Sequence, residues 1–239
     1  MRFLVVALLL IGAPAFAAER ALRFSVSESW AMPLMRYEQG QAAGGILYDL
    51  HTRLAEKVGR RAEQPVLPRQ RVQQLLERGE IDVRCYVNPT WLKESHYQYI
   101  WSLPFMVQRD LLVARSGETA LPGSHSGERI GTVLGFIYPT LEPQIASGLV
   151  QRDDARTQEL VLEKLAAGRY RFAVSNQLTL DWYNRQHAQQ RLRPLGELAA
   201  DLISCLVRDE PDVPTHQLLR AMVQMKQDGE FDAILARYR

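Results

Sequence analysis

The stretches "QQLLERGEIDV" and "EKLAAGRYRFAV" share one plan: a leucine-rich helix, a glycine, then an apolar strand. Their glycines, Gly79 and Gly168, stand 89 positions apart, so the plan occurs twice in one chain of 239 residues. A glycine that closes a helix and releases the chain into a strand is the signature of a crossover connection, and such connections build parallel sheets. Two of them predict two α/β units of similar architecture.

The flanking sequence fills in each unit. "LRFSV", Leu22 to Val26, alternates as a strand does, and "ILYDLHTRLAEKVG" places Leu47, Leu50, Leu54 and Val58 at helical spacing. Helix "RVQQLLERG" follows, with Val72, Leu75 and Leu76 on one face, and then strand "IDVRCYV". The second unit runs from strand "RIGTVLG" through a helix expected to begin near Pro139 to the second repeat. Asp110 to Arg115 reads as a connecting strand and "ADLISCLVRDE" as a second one that returns the chain to the first unit. The end is two amphipathic helices broken at Gly229, with Phe231, Ile234, Leu235 and Tyr238 on one face. The expectation is an α/β chain of two lobes, with residues 18–112 and 206–239 in lobe 1 and 113–205 in lobe 2. Two mixed sheets with flanking helices would be joined by two hinge strands. In open sheets of this kind ligands sit beyond the carboxyl ends of the strands, in the crevice.

Residues 1–17 read differently. Arg2 precedes "FLVVALLLIG" and Ala15-Phe16-Ala17, the order of a secretory signal peptide cut near Ala17. The apolar run is too short to span a bilayer. No cysteine follows the cut, so lipid attachment is not expected. The chain is read as a soluble, exported monomer. Its formal charge of +2 and dispersed arginines exclude a nucleic-acid surface. Five histidines without ligand spacing point to no metal, and nothing calls for a cofactor. In an exported chain Cys85 and Cys205 are permitted to pair; two buried thiols are the reading preferred here.

In their order and spacing these pieces resemble the extracellular solute-binding proteins of the polar amino-acid uptake type, the two-lobed "Venus flytrap" receptors of ABC importers. "GGILYDLHTRLAEKVG", "LLERGEIDV", "IWSLPF", "GTVLG", "LAAGRYRFAVSN" and "MKQDGEFDAILARY" carry the resemblance across nearly the whole exported chain. It implies a type II periplasmic-binding-protein-like fold, a periplasmic location, and an ABC permease in the inner membrane as partner. It also implies positions for the site. Where the family has the arginine that clamps a ligand's α-carboxylate, counted back from Trp101, this chain has Ser95. The acidic residue that holds the α-amino group is matched by Asn176, and Phe136 and Ile137 stand where hydroxyl donors are usual. A serine does not reproduce a bidentate guanidinium–carboxylate pair, so a standard α-amino acid is not the expected ligand.

The candidate ligand-binding residues are therefore Trp30, Arg71, Asn88, Thr90, Trp91, Ser95, Phe136, Tyr138 and Asn176. The rings offer stacking faces and the neutral side chains offer amide and hydroxyl contacts. Arg71, with Arg69, opens a helix at the cleft rim, where a cation beside a helix N-terminus suits an anion. Tyr48 and Gln177 are weaker candidates. The function expected is capture of a small polar or aromatic-containing molecule, without catalysis. The alternatives are an enzyme on the same fold resembling cyclohexadienyl dehydratase, with Glu28, His96 or Glu142 as its acid, or a ligand-sensing binder without a transporter. A buried carboxylate or histidine in the cleft is what the enzyme reading requires.

Overall fold

The computed structural model describes residues 19–92, 98–119 and 126–239. The expected signal segment, Ser95 and His96 lie outside them.

The chain opens with β1 (Leu22–Arg23) and β2 (Val26–Ser27), then a hairpin of β3 (Arg36–Glu38) and β4 (Gln41–Gly44). Helix α1 (Ile46–Lys57) buries Ile46, Leu47, Leu50 and Leu54, the stripe its spacing predicts. Strands β5 (Ala62–Glu63) and β6 (Val66–Leu67) lead to α2 (Arg69–Glu77) and β7 (Val83–Val87). β1 pairs parallel with β5, β2 with β6, and Phe24 bridges in parallel to Val83. After a single 3-10 turn at Pro89–Trp91 come β8 (Tyr99–Trp101) and the long β9 (Met106–Arg115).

The second unit holds β10 (Glu128–Val133), α3 (Glu142–Ala146), β11 (Val150–Ala155), α4 (Gln158–Ala166), β12 (Phe172–Asn176) and α5 (Gln177–Gln186). Helix α3 is shorter than expected: Gly148, at φ +73°, turns the chain into β11. Strand β13 (Leu192–Arg208) returns to the first unit, and α6 (Thr215–Gln227) and α7 (Glu230–Ala236) close the chain. Both repeat glycines have the left-handed backbone a helix stop needs, φ +66° at Gly79 and +76° at Gly168. At Gly168 a Cβ would lie 2.7 Å from the movable Arg115 guanidinium, so the backbone conformation is what demands glycine.

The largest sheet runs β11-β10-β12-β9-β13-β7, with β8 also on β13. β13 pairs antiparallel with β9 from Leu192↔Arg115 to Ile203↔Met106, then with β7 from Ser204↔Val87 to Val207↔Val83. These two long strands pass between the lobes. The cores stay apart: Phe24, Leu47, Leu54, Val83 and Phe231 share one cluster, while Val113, Val161 and Leu165 belong to another. The architecture is the two-lobed type II periplasmic-binding-protein-like fold.

Cys85 and Cys205 form a disulfide, which corrects the expectation of two thiols. They are direct cross-strand partners of β7 and β13, with Cα atoms 3.9 Å apart. A separation of 120 residues hides that adjacency from the sequence. No helix among the described residues is long and apolar enough to cross a membrane.

Just before β7, the Asp82 side chain is fully buried. Its carboxylate accepts from Arg20 at 2.7 Å, Arg23 at 3.0 Å, Arg208 at 3.1 Å and the Arg23 backbone N–H at 2.8 Å. These donors overcome the opposing effect of burial and hold the Asp82 carboxyl below the usual carboxylate range. The group's stabilising contribution is complete above about pH 4 and fades as pH falls further. Asp82→Asn is expected to lower unfolding free energy by about 3 kcal/mol at neutral pH. Urea titrations of both proteins at pH 7 and pH 3 check this, and the gap between them should narrow at the lower pH.

Candidate interlobe binding site

The two lobes meet over a small cavity of about 40 Å³ at the carboxyl ends of the strands. Lobe 1 contributes Ser25, Ser27 and Trp30 from the first strands and the loop after them, and Arg69 and Val72 from the start of α2. Arg84 and Tyr86 come from β7 and Trp91 from the turn that follows it. Gln108 and Asp110 lie on β9, and Phe136 and Ile137 on the loop after β10. Two contacts tie the rims. The Gln158 backbone N–H donates to Ser29 O at 3.0 Å, and Gln158 Oε1 accepts from the Ala31 N–H at 3.3 Å. Arg69 also lies over the Phe136 ring, 5.9 Å from its centroid.

The polar centre is unusual. Arg84 is 4% exposed and its Nη1 has no hydrogen-bond partner. Burial pulls its pKa well below the ordinary arginine value, and like-charged Arg69 adds to the effect. Among the described residues no carboxylate pairs with either guanidinium. Tyr86 is equally buried, its hydroxyl unpartnered, and its backbone left-handed at φ +63°. That conformation costs a non-glycine residue about 1–2 kcal/mol and is held by its surroundings. Burial, with Asp110 and Asp201 nearby, keeps the phenol protonated. Gln108 donates its Nε2 to Asp110 Oδ1 at 2.8 Å, leaving Oε1 without a donor. Burial pushes the Asp110 carboxyl up to about 6, opposed by the Gln108 hydrogen bond.

The aromatic wall matches expectation in part. Trp30 meets Tyr86 edge-on at 5.8 Å, Trp91 lies 6.4 Å from Tyr86, and Phe136 closes the lobe 2 side. The remaining candidates lie elsewhere. Asn88 Oδ1 accepts from the Thr90 N–H and hydroxyl, both at 2.8 Å, and its Nδ2 donates to Leu202 O at 2.9 Å. Both residues are thus occupied in shaping the turn and fastening it to β13. Arg71 is exposed on α2 and off the cavity wall, where Arg69 stands instead. Tyr138 is a core residue whose hydroxyl accepts from the Val133 N–H at 3.0 Å. Tyr48 faces another surface depression beside Gln64. Asn176 caps α5 by accepting from the Thr179 N–H, leaves its buried Nδ2 without a partner, and with Gln177 lines an adjoining, larger cavity of about 640 Å³ that shares Tyr86 and Gln108 with the first. Glu28 and Glu142 are exposed.

Arg84, Tyr86, Gln108 and Asp110 were not among the sequence candidates. Arg84 carried one usable signal: it is the only charged residue in "VRCYV", a strand that proves buried at every position. A charge in such a strand demands a partner.

The bacterial extracellular solute-binding proteins, family 3, match residues 22–239. An ancestral arginine-binding protein bound to arginine superposes with a TM-score of 0.75 at 20% identity, over 92% of this chain and 99% of that one. A histidine kinase sensor domain with similarity to periplasmic binding proteins gives 0.74 at 18%, over 92% and 96%. An ancestral amino acid-binding protein, a precursor of cyclohexadienyl dehydratase, gives 0.72 at 16%, over 91% and 95%. At these identities the likeness is one of fold. No curated protein matches the chain.

A carboxyl raised by burial binds its proton more tightly folded than unfolded, so stability falls as pH rises from about 4 to 6. Asp110→Asn should remove that slope and raise stability at pH 7 by about 2 kcal/mol. Melting curves of both proteins from pH 4 to 8 test it, and parallel profiles would refute the assignment.

Proposed function

The chain belongs to the bacterial extracellular solute-binding proteins, family 3, and on that premise we propose that it captures a small anionic solute in the cavity between its lobes. The carrying observation is Arg84: a buried guanidinium, beside a second cation, with an unpartnered donor on the cavity wall. Leaving such a charge uncompensated costs several kcal/mol, and an anion removes most of that cost. Trp30, Trp91 and Phe136 exclude water around the contact and strengthen it. Closure over the solute would bring Gln158 onto the Ser29–Ala31 loop, so binding energy would favour the closed form.

The remaining parts of the reading follow from the family. Residues 1–17 direct the chain to the periplasm, where the loaded monomer presents its closed form to an ABC permease in the inner membrane. Neither metal nor cofactor takes part. Lobe 1 comprises 18–112 and 206–239 and lobe 2 comprises 113–205; the separate hydrophobic cores on either side of β9 and β13 support this division. A sensing role without a transporter draws support only from the likeness to the kinase sensor domain.

One observation favours a second reading. Asp110 is a half-buried carboxyl on the cavity wall, of the kind catalysis on this fold would require, at a pKa of about 6. A 4-hydroxycyclohexadienyl 1-carboxylate incubated with the protein would then lose carbon dioxide from C1 and its hydroxyl from C4, protonated by Asp110 to leave as water, and the aromatic product would absorb in the ultraviolet. Absence of turnover together with tight binding of anions supports the receptor.

The receptor reading is tested by melting the protein with panels of carboxylates, amino acids, polyamines and neutral sugars. Carboxylates should raise the midpoint and the other classes should not. Arg84→Met should weaken the best carboxylate by a hundredfold or more in calorimetry. A ligand of unchanged affinity in that variant would refute Arg84 as the anchor.

A further inference from the structure

The cavity's unused polar atoms specify more than charge. Arg84 Nη1 lacks an acceptor, whereas Gln108 Oε1 lacks a donor. The Gln108 amide cannot be turned around to change this. Its Nε2 is held by Asp110 Oδ1 at 2.8 Å, and the reverse orientation would set oxygen against oxygen. Both residues are more than nine-tenths buried, at 4% and 8% exposure, so ordinary solvent does not make up the deficit. A fitting ligand therefore presents an anionic group at one end and a hydrogen-bond donor at the other.

Charge decides what kind of donor. Arg69 and Arg84 bring two positive charges, Asp110 at most one negative. A zwitterion can place its ammonium at Gln108 beside Asp110, but its net charge is zero and the surplus positive charge of the wall stays uncancelled. A dicarboxylate offers Gln108 no donor and sets a second anion beside Asp110. A monocarboxylate with a neutral hydroxyl satisfies both deficits and cancels the surplus charge. Size narrows it further: about 40 Å³ is room for about three or four waters, or about four to six ligand heavy atoms.

We propose that the cavity takes a short 2-hydroxymonocarboxylate, its carboxylate held by Arg84 and Arg69 and its hydroxyl donating to Gln108 Oε1. This rests on the reading of the cleft as a solute site and names the solute class. Tyr86, whose hydroxyl faces the same space without a partner, supplies a third contact to the carboxylate. Trp30 and Phe136 line the enclosed part of the site, and the adjoining cavity of about 640 Å³ shares Tyr86 and Gln108 with it.

Calorimetry with glycolate, L-lactate, propionate, pyruvate, L-alanine and malonate tests the class. Glycolate or lactate should bind at least tenfold more tightly than propionate or pyruvate, which lack the donor, and more tightly than alanine or malonate. In Gln108→Leu the lactate-to-propionate ratio should fall below about two. Should that variant fail to fold, the wild-type ratio stands as the test. Equal affinity for lactate and propionate, or tighter binding of alanine, pyruvate or malonate, overturns the class. If larger carboxylates bind through Arg84 while all six small acids fail, the class is wrong and the receptor stands. If no carboxylate of any size binds, the receptor reading falls with it.

Discussion

The cleft depends on one antiparallel ladder, β9 against β13. No other strand pair in the structure matches it in length: β13 is paired from Leu192 to Val207, first with β9 and then with β7. Two register shifts, at Pro194/Gly196 and Glu197/Ala199, twist the ladder where it serves lobe 2. Gln108 and Asp110 occupy β9 in the middle of this passage. Asp110 lies opposite Asn176 of β12 on one side and Ala199 of β13 on the other. The polar floor of the cavity is thus built into the strand that joins the lobes, and lobe motion must pivot around it. On the lobe 1 side, the Cys85–Cys205 disulfide fastens β13 to β7. Asp82 gathers Arg20, Arg23 and Arg208 a few residues away. Arg84 lies between these two anchors.

That placement accounts for how the chain sustains an unpaired buried cation. Uncompensated charges of this kind destabilise folded proteins by several kcal/mol, and mobile elements would relax until water reached the guanidinium. Here the neighbours do not yield: Asp82 is locked by three arginines and Cys85 is covalently held. The same is true of Tyr86, whose left-handed backbone persists because residues on either side are fully packed. Strain and desolvation are concentrated at Arg84 and Tyr86, within the strand that the disulfide fastens to β13. Under the proposed function, an anion entering such a site would gain more than it would from a solvated arginine.

Much of the fold could be read from the sequence because its signals are local. Leu47, Leu50 and Leu54 announce α1 by spacing alone, and Gly79 and Gly168 mark helix ends by a backbone requirement few residues meet. The hairpin β3–β4, the strand β11 and the helix α5 were not anticipated. Their segments are short, polar or, like "NQLTLDWYNRQ", without a clean apolar stripe. The lining of the cavity was legible where it is aromatic and not where it is charged. Trp30, Trp91 and Phe136 follow from strand ends, but Arg69 and Arg71 look alike in sequence and differ by roughly 200° around α2, so only one reaches the cavity. Asn88 and Thr90 were misleading for a physical reason. Small polar side chains after a strand bond to nearby backbone as readily as to a ligand, and here each satisfies the other.

The Asp110 carboxyl bears on whether a cavity like this holds its guest or changes it. A separate acid and base are provided where two titrating groups with different pKa values flank the reacting atoms. Among the described residues on the cavity wall the other ionisable groups are Arg69, Arg84 and Tyr86. The two arginines are fixed cations in function even with their pKa values lowered by burial, and Tyr86 is pushed further toward its protonated form. Asp110 itself spends one oxygen on Gln108 and thereby sets the direction of that amide. Its role in this arrangement is to orient Gln108 Oε1 toward the guest, a positioning task that a carboxylate performs without transferring a proton. On this wall Arg69 and Arg84 carry the positive charge, and Asp110 sets the direction of the Gln108 amide.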